Sequence, residues 1–130
     1  HKSVPMVKIL IIDDDLRLRE DMGMILDLEG FQVITTGDGY EGISLAATQL
    51  PDLIICDVNM PILDGYGVYR RLQESDKTRA ITFLFLTGEQ PEEFQKHLTL
   101  DSNRVLAKPF YVGDLLERVN TLLRLTVGRA

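Results

Sequence analysis

The chain has 130 residues, of which 45% are hydrophobic and 26% are charged, and its formal net charge is −6. This length suits one domain with its own hydrophobic core. The negative charge, without clustered basic residues, argues against direct binding of nucleic acid and favours a bound cation or a basic partner surface.

Cysteine content predicts a reducing compartment, and hydropathy predicts that the chain does not span a membrane. Cys56 is the single cysteine, so it cannot form an internal disulfide, and it lies in an apolar run where we expect it to pack. No apolar run reaches membrane-spanning length and no secretory leader is recognisable, so we expect a cytoplasmic protein with no membrane partner. We expect one domain over residues 6–126, a frayed start or cloning remnant at 1–5, and a tail at 127–130.

The first part of the chain predicts two strands and two helices in alternation. A strand over Met6–Ile12 runs directly into three acids, Asp13-Asp14-Asp15. Apolar residues at helical spacing predict a helix over residues 16–29, and a second strand follows over Phe31–Thr35. One face of the second predicted helix is marked by Tyr40, Ile43, Ala47 and Leu50.

The middle of the chain contains its least interrupted apolar strand. Leu53–Cys56 has no polar alternation, which is typical of a central strand in a parallel sheet, and Asp57 stands at its end. Pro61 and the pair Asp64-Gly65 predict a loop. A third helix, ending near Ser75, is indicated by Val68, Tyr69 and Leu72.

The last part predicts two more strand and helix pairs. The strand Ile81–Leu86 leads into Thr87, and Pro91 suits the first turn of a fourth helix that contains Phe94 and Leu98. A short strand over Arg104–Ala107 then brings Lys108 to the same edge of the sheet. The amphipathic pattern from Val112 to Leu123 predicts a fifth helix.

Five strands alternating with five helices predict an α/β fold, a doubly wound parallel sheet. In the flavodoxin-like strand order 2-1-3-4-5, strands 1 and 3 are neighbours, so Asp13, Asp14 and Asp57 meet where these strands end. Three carboxylates in one hollow repel each other unless a cation lies among them, and an all-oxygen set favours Mg²⁺. Thr87 and Lys108 reach the same edge and suit an anionic group.

This combination of residues suits phosphoryl transfer, which depends on positioning and charge neutralisation. A carboxylate is then the expected nucleophile, because the predicted site contains no Ser, Cys or His. We assign that role to Asp57, which stands alone at the end of the central strand. Asp13 and Asp14 form the adjacent pair expected of metal ligands.

The chain resembles the receiver domain of two-component response regulators from about Lys8 to Leu125. Four sets of residues carry the resemblance: Asp13-Asp14-Asp15, the turn Asp57–Pro61 with Asp64-Gly65, Thr87-Gly88, and Lys108-Pro109-Phe110. Each set alone is a weak match, but all four in this order and at these spacings are highly specific.

The resemblance implies a phosphoacceptor in signalling and not a metabolic enzyme. It implies that Asp57 accepts a phosphoryl group from a histidine kinase or a phosphotransfer protein. Magnesium is implied to bind Asp14, Asp57 and the backbone carbonyl of Asn59 directly, and Asp13 largely through water.

The resemblance also implies how the phosphorylated state is recognised. Lys108 is implied to pair with the phosphoryl oxygens, Thr87 to hydrogen-bond the phosphorylated aspartate, and the Lys108-Pro109 bond is of the type that tolerates the cis form. A downstream effector is implied to bind the surface of the fourth helix, fifth strand and fifth helix. Homodimer formation on phosphorylation is left open.

Two features depart from or refine the family pattern. Val105 stands three residues before Lys108, where receivers usually carry an aromatic residue, so coupling to the output surface is expected to differ. Asn59 and Glu89 follow Asp57 and Thr87 by two residues, and the resemblance implies that this pair gives a short-lived phosphorylated state; solvent-facing polar residues without such a role are the open alternative.

Other interpretations of these residues remain open from the sequence. Asp15 and Asp64 suit helix caps or turns better than a metal site, and His97 suits a surface position. For the whole chain the rivals are a degenerate receiver that only binds partners, an aspartate-nucleophile phosphatase, and a flavin-binding relative. The chain is expected to be either a stand-alone regulator or a piece of a longer protein.

Overall fold

The computed structural model of the protein describes residues 6–88 and 101–127, and side chains up to residue 125. Five strands are present in these ranges: β1 (Lys8–Ile12), β2 (Gln32–Thr36), β3 (Leu53–Asp57), β4 (Thr82–Thr87) and β5 (Val105–Ala107). The helices are α1 (Leu16–Leu28), α2 (Gly39–Gln49), α3 (Gly65–Gln73) and the last helix (Val112–Val127), with a short 3₁₀ turn over Ser102–Arg104. Within the described residues no helix combines the length and apolar character needed to cross a membrane.

The strands form one parallel sheet in the order β2-β1-β3-β4-β5. This confirms the predicted doubly wound α/β fold and its strand order. β1 and β3 are hydrogen-bonded neighbours, with Ile12 paired to Cys56. The residues that follow these two strands are therefore brought to the same edge.

The sheet is covered by helices on both faces, which explains why its central strands are uninterrupted apolar runs. Ile9 and Ile11 face the core under α1 and the last helix, whereas Leu10 and Ile12 face the core under α2 and α3. Each such side chain contributes about 1.5–3 kcal/mol on burial. Cys56 is fully buried in the core under α2 and α3, which confirms its predicted packing role.

The predicted apolar face of α2 is confirmed only in part, since Ile43 packs against the core but two other members of the face do not. Tyr40 and Leu50 are about half exposed, and the helix buries Gly39, Gly42 and Ala46 instead. The reason is a close approach to β1: a Cβ on Gly42 would lie 2.5 Å from Cδ1 of Ile12. Small residues therefore mark the closest contact of this helix with the sheet, and Ile43 and Leu45 pack beside them.

Several element boundaries differ from the predicted ones. β1 begins at Lys8, two residues later than predicted. α3 ends at Gln73, before the predicted end near Ser75, and the Thr78 hydroxyl donates to the carbonyl of Leu72 at 2.7 Å in the turn that follows. β5 begins one residue later than predicted because Asp101 accepts from the N–H of Asn103 and caps the preceding 3₁₀ turn.

Three predicted features lie outside the described residues. They are the start at residues 1–5, the fourth helix predicted from Pro91 with His97, and residues 128–130 of the predicted tail. The last helix includes Val127, one residue past the predicted domain end.

Gly65 closes the loop that returns the chain from β3 to α3. Its N–H donates to the carbonyl of Val58 at 2.9 Å, and a Cβ at this position would lie 2.4 Å from the carbonyl oxygen of Asp57. Backbone atoms cannot yield as a flexible side chain does. Glycine is therefore required for the loop to pass this close to Asp57.

We predict that Gly65→Ala lowers the free energy of unfolding by about 1–3 kcal/mol, because the added methyl group forces the loop away from β3. Urea denaturation measures the change. Gly23→Ala in α1 is the matched control, since its Cβ would meet only ordinary contacts at 3.7 and 3.8 Å. That control is expected to be neutral or to gain about 0.5–1 kcal/mol. Equal stability of Gly65→Ala and the unsubstituted protein would contradict the steric argument.

Candidate functional site

Three carboxylates meet at the edge of the sheet where its strands end. Asp13 follows β1 directly and Asp57 is the last residue of β3, so the pairing of these strands brings them together. One carboxylate oxygen from each of Asp13, Asp14 and Asp57 lies within 4.8 Å of the others. Asp13 and Asp57 are buried and Asp14 is exposed, so the cluster opens to solvent on the Asp14 side.

Lys108 places its ammonium group against two of these carboxylates. Its Nζ lies 3.1 Å from Oδ1 of Asp57 and 3.3 Å from Oδ2 of Asp13. The backbone N–H of Lys108 bonds to the carbonyl of Thr87 at 2.8 Å, and the Lys108-Pro109 peptide bond is cis. The end of β5 thus sets the position from which this side chain reaches across β4.

Thr87 is the last residue of β4, and Asn59 follows the end of β3 by two residues. Thr87 is buried at the end of β4, one residue beyond Leu86, which pairs with Asp57 in the sheet. Asn59 is exposed, and its backbone N–H bonds to the Asp57 carboxylate. Glu89, the other residue of the predicted pair, lies outside the described residues.

Two neighbouring acids cap helices, as the sequence predicts. Asp15 accepts from the N–H of Leu18 at 3.1 Å and begins α1. Asp64 accepts from the N–H of Gly67 at 2.9 Å and begins α3. Their carboxylates are engaged with helix N-termini, which separates them from the three acids of the cluster.

Burial sets the titration of the cluster. It raises the pKa of Asp57, and the nearby Asp13 raises it further, against the opposing effects of Lys108 and the N–H of Asn59. Burial likewise raises the pKa of Asp13. For Lys108, burial lowers the pKa, but the carboxylates of Asp13 and Asp57 outweigh it and the net pKa is raised. One ammonium therefore does not fully offset the cost of ionising the two buried acids.

Magnesium, the cation that the resemblance implies, fits this donor set. Carboxylate oxygens are the ligands that hard divalent cations prefer, and the spacing of Asp13, Asp14 and Asp57 brings three of them to one point. The added positive charge would favour the ionised form of both acids, whose pKa is raised mainly by burial and further by neighbouring carboxylates.

Sequence reasoning missed the residues that hold the Asp13 backbone. A guanidinium nitrogen (NH1) of Arg19 donates to the carbonyl of Asp13 at 2.6 Å, and the N–H of Asp13 donates to the carbonyl of Thr36 at 3.0 Å. An arginine one turn into a helix is usually predicted to be solvent-exposed, and the position of a backbone carbonyl cannot be predicted from residue types. Neither contact could be found without the fold.

We predict that Asp57→Asn stabilises the metal-free protein at neutral pH. Below the ordinary Asp pKa of 3.8 the carboxyl is protonated in both states. As the pH rises, the unfolded chain ionises first, so the unsubstituted protein loses stability until the pH passes the raised pKa of the folded state. The advantage of Asp57→Asn should therefore be small in acid, grow through this window and then level off.

Urea denaturation in a chelator, from acid to neutral pH, measures that difference. Asp21→Asn, which removes an exposed carboxylate of α1, is the matched control and should change stability little at any of these pH values. A loss of stability in Asp57→Asn at neutral pH would contradict the argument.

Comparison with known proteins gives the family. The model of the response regulator receiver domain matches residues 9–120. The chain is 37% identical over 123 residues to the DNA-binding dual master transcriptional regulator RpaA of Synechocystis, a match that covers 93% of this chain and 51% of that protein. The chain spans about half the length of the curated relatives it matches.

Two solved structures show the same architecture. The chemotaxis response regulator CheY4 of Vibrio cholerae superposes with a TM-score of 0.84 at 30% identity, covering 91% of this chain and 99% of that one. The receiver domain of the sensor histidine kinase PA1611 of Pseudomonas aeruginosa gives 0.78 at 25% identity, covering 95% and 99%. That structure has a magnesium ion coordinated in its active site cleft.

The family match covers most of the chain, the fold agrees with solved receivers, and the acid cluster fits a phosphoacceptor site. The chain therefore belongs to the response regulator receiver domains of two-component signalling.

Proposed function

We propose that residues 6–126 form a receiver that accepts a phosphoryl group on Asp57 in a magnesium-dependent reaction. The observation that carries the proposal is the contact of Asp57 with Lys108, 3.1 Å away, beside two further carboxylates. The proximity supports a site in which Asp57 would be the nucleophile, Lys108 would meet the phosphoryl oxygens and the neighbouring acids would bind the metal. The donor is a phosphohistidine of a histidine kinase or phosphotransfer protein.

The transfer itself needs little covalent assistance. A carboxylate oxygen of Asp57 forms the new O–P bond while the P–N bond of the phosphohistidine breaks, and the imidazole nitrogen leaves with the bonding pair. Lys108 then moves from its carboxylate contacts to the phosphoryl oxygens, whose charge replaces that of the free carboxylate. Thr87 hydrogen-bonds the phosphorylated side chain from the end of β4.

Magnesium, when bound, would supply charge neutralisation for the phosphoryl group. Asp14, Asp57 and the backbone carbonyl of Asn59 would hold it directly, and Asp13 would hold it largely through water. Asp14 is exposed, which gives the ion an entry path. The same residues catalyse hydrolysis of the acyl phosphate, so that the chain regulates its own modification but has no metabolic substrate.

Phosphorylation shifts a pre-existing equilibrium toward a state that binds a downstream partner in the cytoplasm. The effector surface is that of the fourth predicted helix, β5 and the last helix, and a phosphorylation-dependent homodimer would use the same region. Val105 packs against the core that contains Phe83 and Phe85. Its small side chain would therefore transmit less of the conformational change at the phosphorylation site to the effector surface than an aromatic ring could. The receiver itself makes no direct contact with nucleic acid.

We predict that acetyl phosphate with magnesium adds one phosphoryl group to the protein, detected by intact mass. Asp57→Asn should abolish the addition, and Lys108→Gln should slow it by about 10²–10³-fold, because the developing charge loses its cation. Asp21→Asn is the control and should react at the rate of the unsubstituted protein.

Different outcomes separate the rival functions. An unmodified protein would leave a degenerate receiver that only binds partners. Undiminished phosphorylation of Asp57→Asn would place the acceptor elsewhere. Continuous turnover of a small phosphate ester would indicate a phosphatase.

We predict that replacing both Asn59 and Glu89 by Leu lengthens the lifetime of the phosphorylated state several-fold. Apolar side chains at these two sequence positions would hinder the water that attacks the acyl phosphate. Mass spectrometry after removal of acetyl phosphate measures the decay. Asn120→Leu, an exposed position on the last helix, is the control. An unchanged lifetime in the double variant would remove any role of this pair in hydrolysis.

A further inference from the structure

The backbone of Asp13 is held beyond the end of its strand. β1 ends at Ile12, and Asp13 is fully buried, so its backbone polar groups need partners. Its N–H finds the carbonyl of Thr36, at the end of β2. Its carbonyl accepts from NH1 of Arg19 at 2.6 Å.

The side chain of the same residue is held as well. Oδ1 of Asp13 accepts from the N–H of Asp15 at 3.0 Å, and Oδ2 accepts from Nζ of Lys108 at 3.3 Å. Four donors or acceptors from three parts of the fold therefore fix where this carboxylate points. Of these four partners, Arg19 is the one whose side chain bonds to the backbone of Asp13, from the first turns of α1.

Gly37 provides the room for this contact. A Cβ at Gly37 would lie 2.6 Å from NH1 of Arg19 but 3.6 Å from the carbonyl oxygen of Asp13, an ordinary separation. A methyl group here would thus displace the guanidinium while leaving Asp13 itself untouched. The end of β2 supplies both a backbone partner for Asp13, from Thr36, and the space that Arg19 occupies.

We propose that Arg19 is a positioning residue for the magnesium site, acting through the backbone of Asp13. The inference rests on the proposed function, since it assigns Arg19 a part in holding the ligand set. Groups that orient metal ligands commonly change metal affinity 10–100-fold when removed. Arg19 has this relation to Asp13 without belonging to the carboxylate cluster.

Charge and position make opposite predictions for Arg19. A guanidinium near the site repels a divalent cation, so its loss would tighten magnesium binding if charge alone mattered. If Arg19 acts by holding Asp13, its loss weakens binding. The sign of the change therefore distinguishes a positioning role from a general electrostatic one.

The test is the dissociation constant for magnesium, measured by calorimetric titration, for a set of matched variants. Arg19→Met keeps the apolar stem and should raise the dissociation constant about tenfold. Arg19→Lys keeps a charge and one donor and should recover much of the affinity. Arg17→Met, which removes an exposed arginine of the same helix, is the charge control and should not weaken binding.

Gly37→Ala supplies an independent test through the same contact. As a single substitution it should weaken magnesium binding. Added to Arg19→Met it should have no further effect, because no guanidinium is then displaced. The free energy of unfolding, measured in a chelator, is followed alongside. A purely structural role would lower it in these variants while leaving the dissociation constant unchanged.

The outcomes divide cleanly between the two proposals. Unsubstituted protein that binds magnesium, with Arg19→Met binding equally or more tightly, would overturn the positioning role and leave the proposed function standing. Additive effects of Gly37→Ala and Arg19→Met would also overturn it. Unsubstituted protein that binds no magnesium would overturn the proposed function and this inference with it.

Discussion

The site depends on one partly buried ammonium group shared between two carboxylates. Lys108 lies 3.1 Å from Asp57 and 3.3 Å from Asp13, and its partners raise its pKa although burial alone would lower it. The pKa of both acids is nevertheless raised, because burial and mutual repulsion exceed what one lysine can offset. The protein thus maintains an electrostatic cost that a divalent cation would relieve.

Much of the surrounding structure serves to hold these charges in place. Asp15 and Asp64 begin the helices on either side of the cluster, so neighbouring acids are used for capping. Gly65 lets the loop after β3 pass against the backbone of Asp57, and the parallel pairing of β1 with β3 fixes the separation of the acids. Burying these charges destabilises the fold at the proposed functional site, and the apolar core on both faces of the sheet offsets that destabilisation.

The sequence predicted the fold and the acid cluster because both follow from strong local signals. Unbroken apolar strands in alternation with helices predicted a doubly wound parallel sheet, and the flavodoxin-like strand order then brought Asp13, Asp14 and Asp57 together. The inward face of α2 was predicted only in part, because Gly42 marks a close contact with Ile12 that hydrophobic periodicity does not detect. Arg19 was missed for a related reason: its partner is a backbone carbonyl, whose position only the folded chain defines.

The most direct test of the account is the change in thermal unfolding midpoint on adding magnesium chloride, with sodium chloride at equal ionic strength as reference. Binding of an ion to the folded state alone stabilises it by mass action, about 2.7 kcal/mol at a hundredfold excess over the dissociation constant. We expect a clear rise for the unsubstituted protein and almost none when both Asp13 and Asp57 are replaced by Asn. An equal response of the two proteins, or no response of either, would contradict the claim that these carboxylates share a cation.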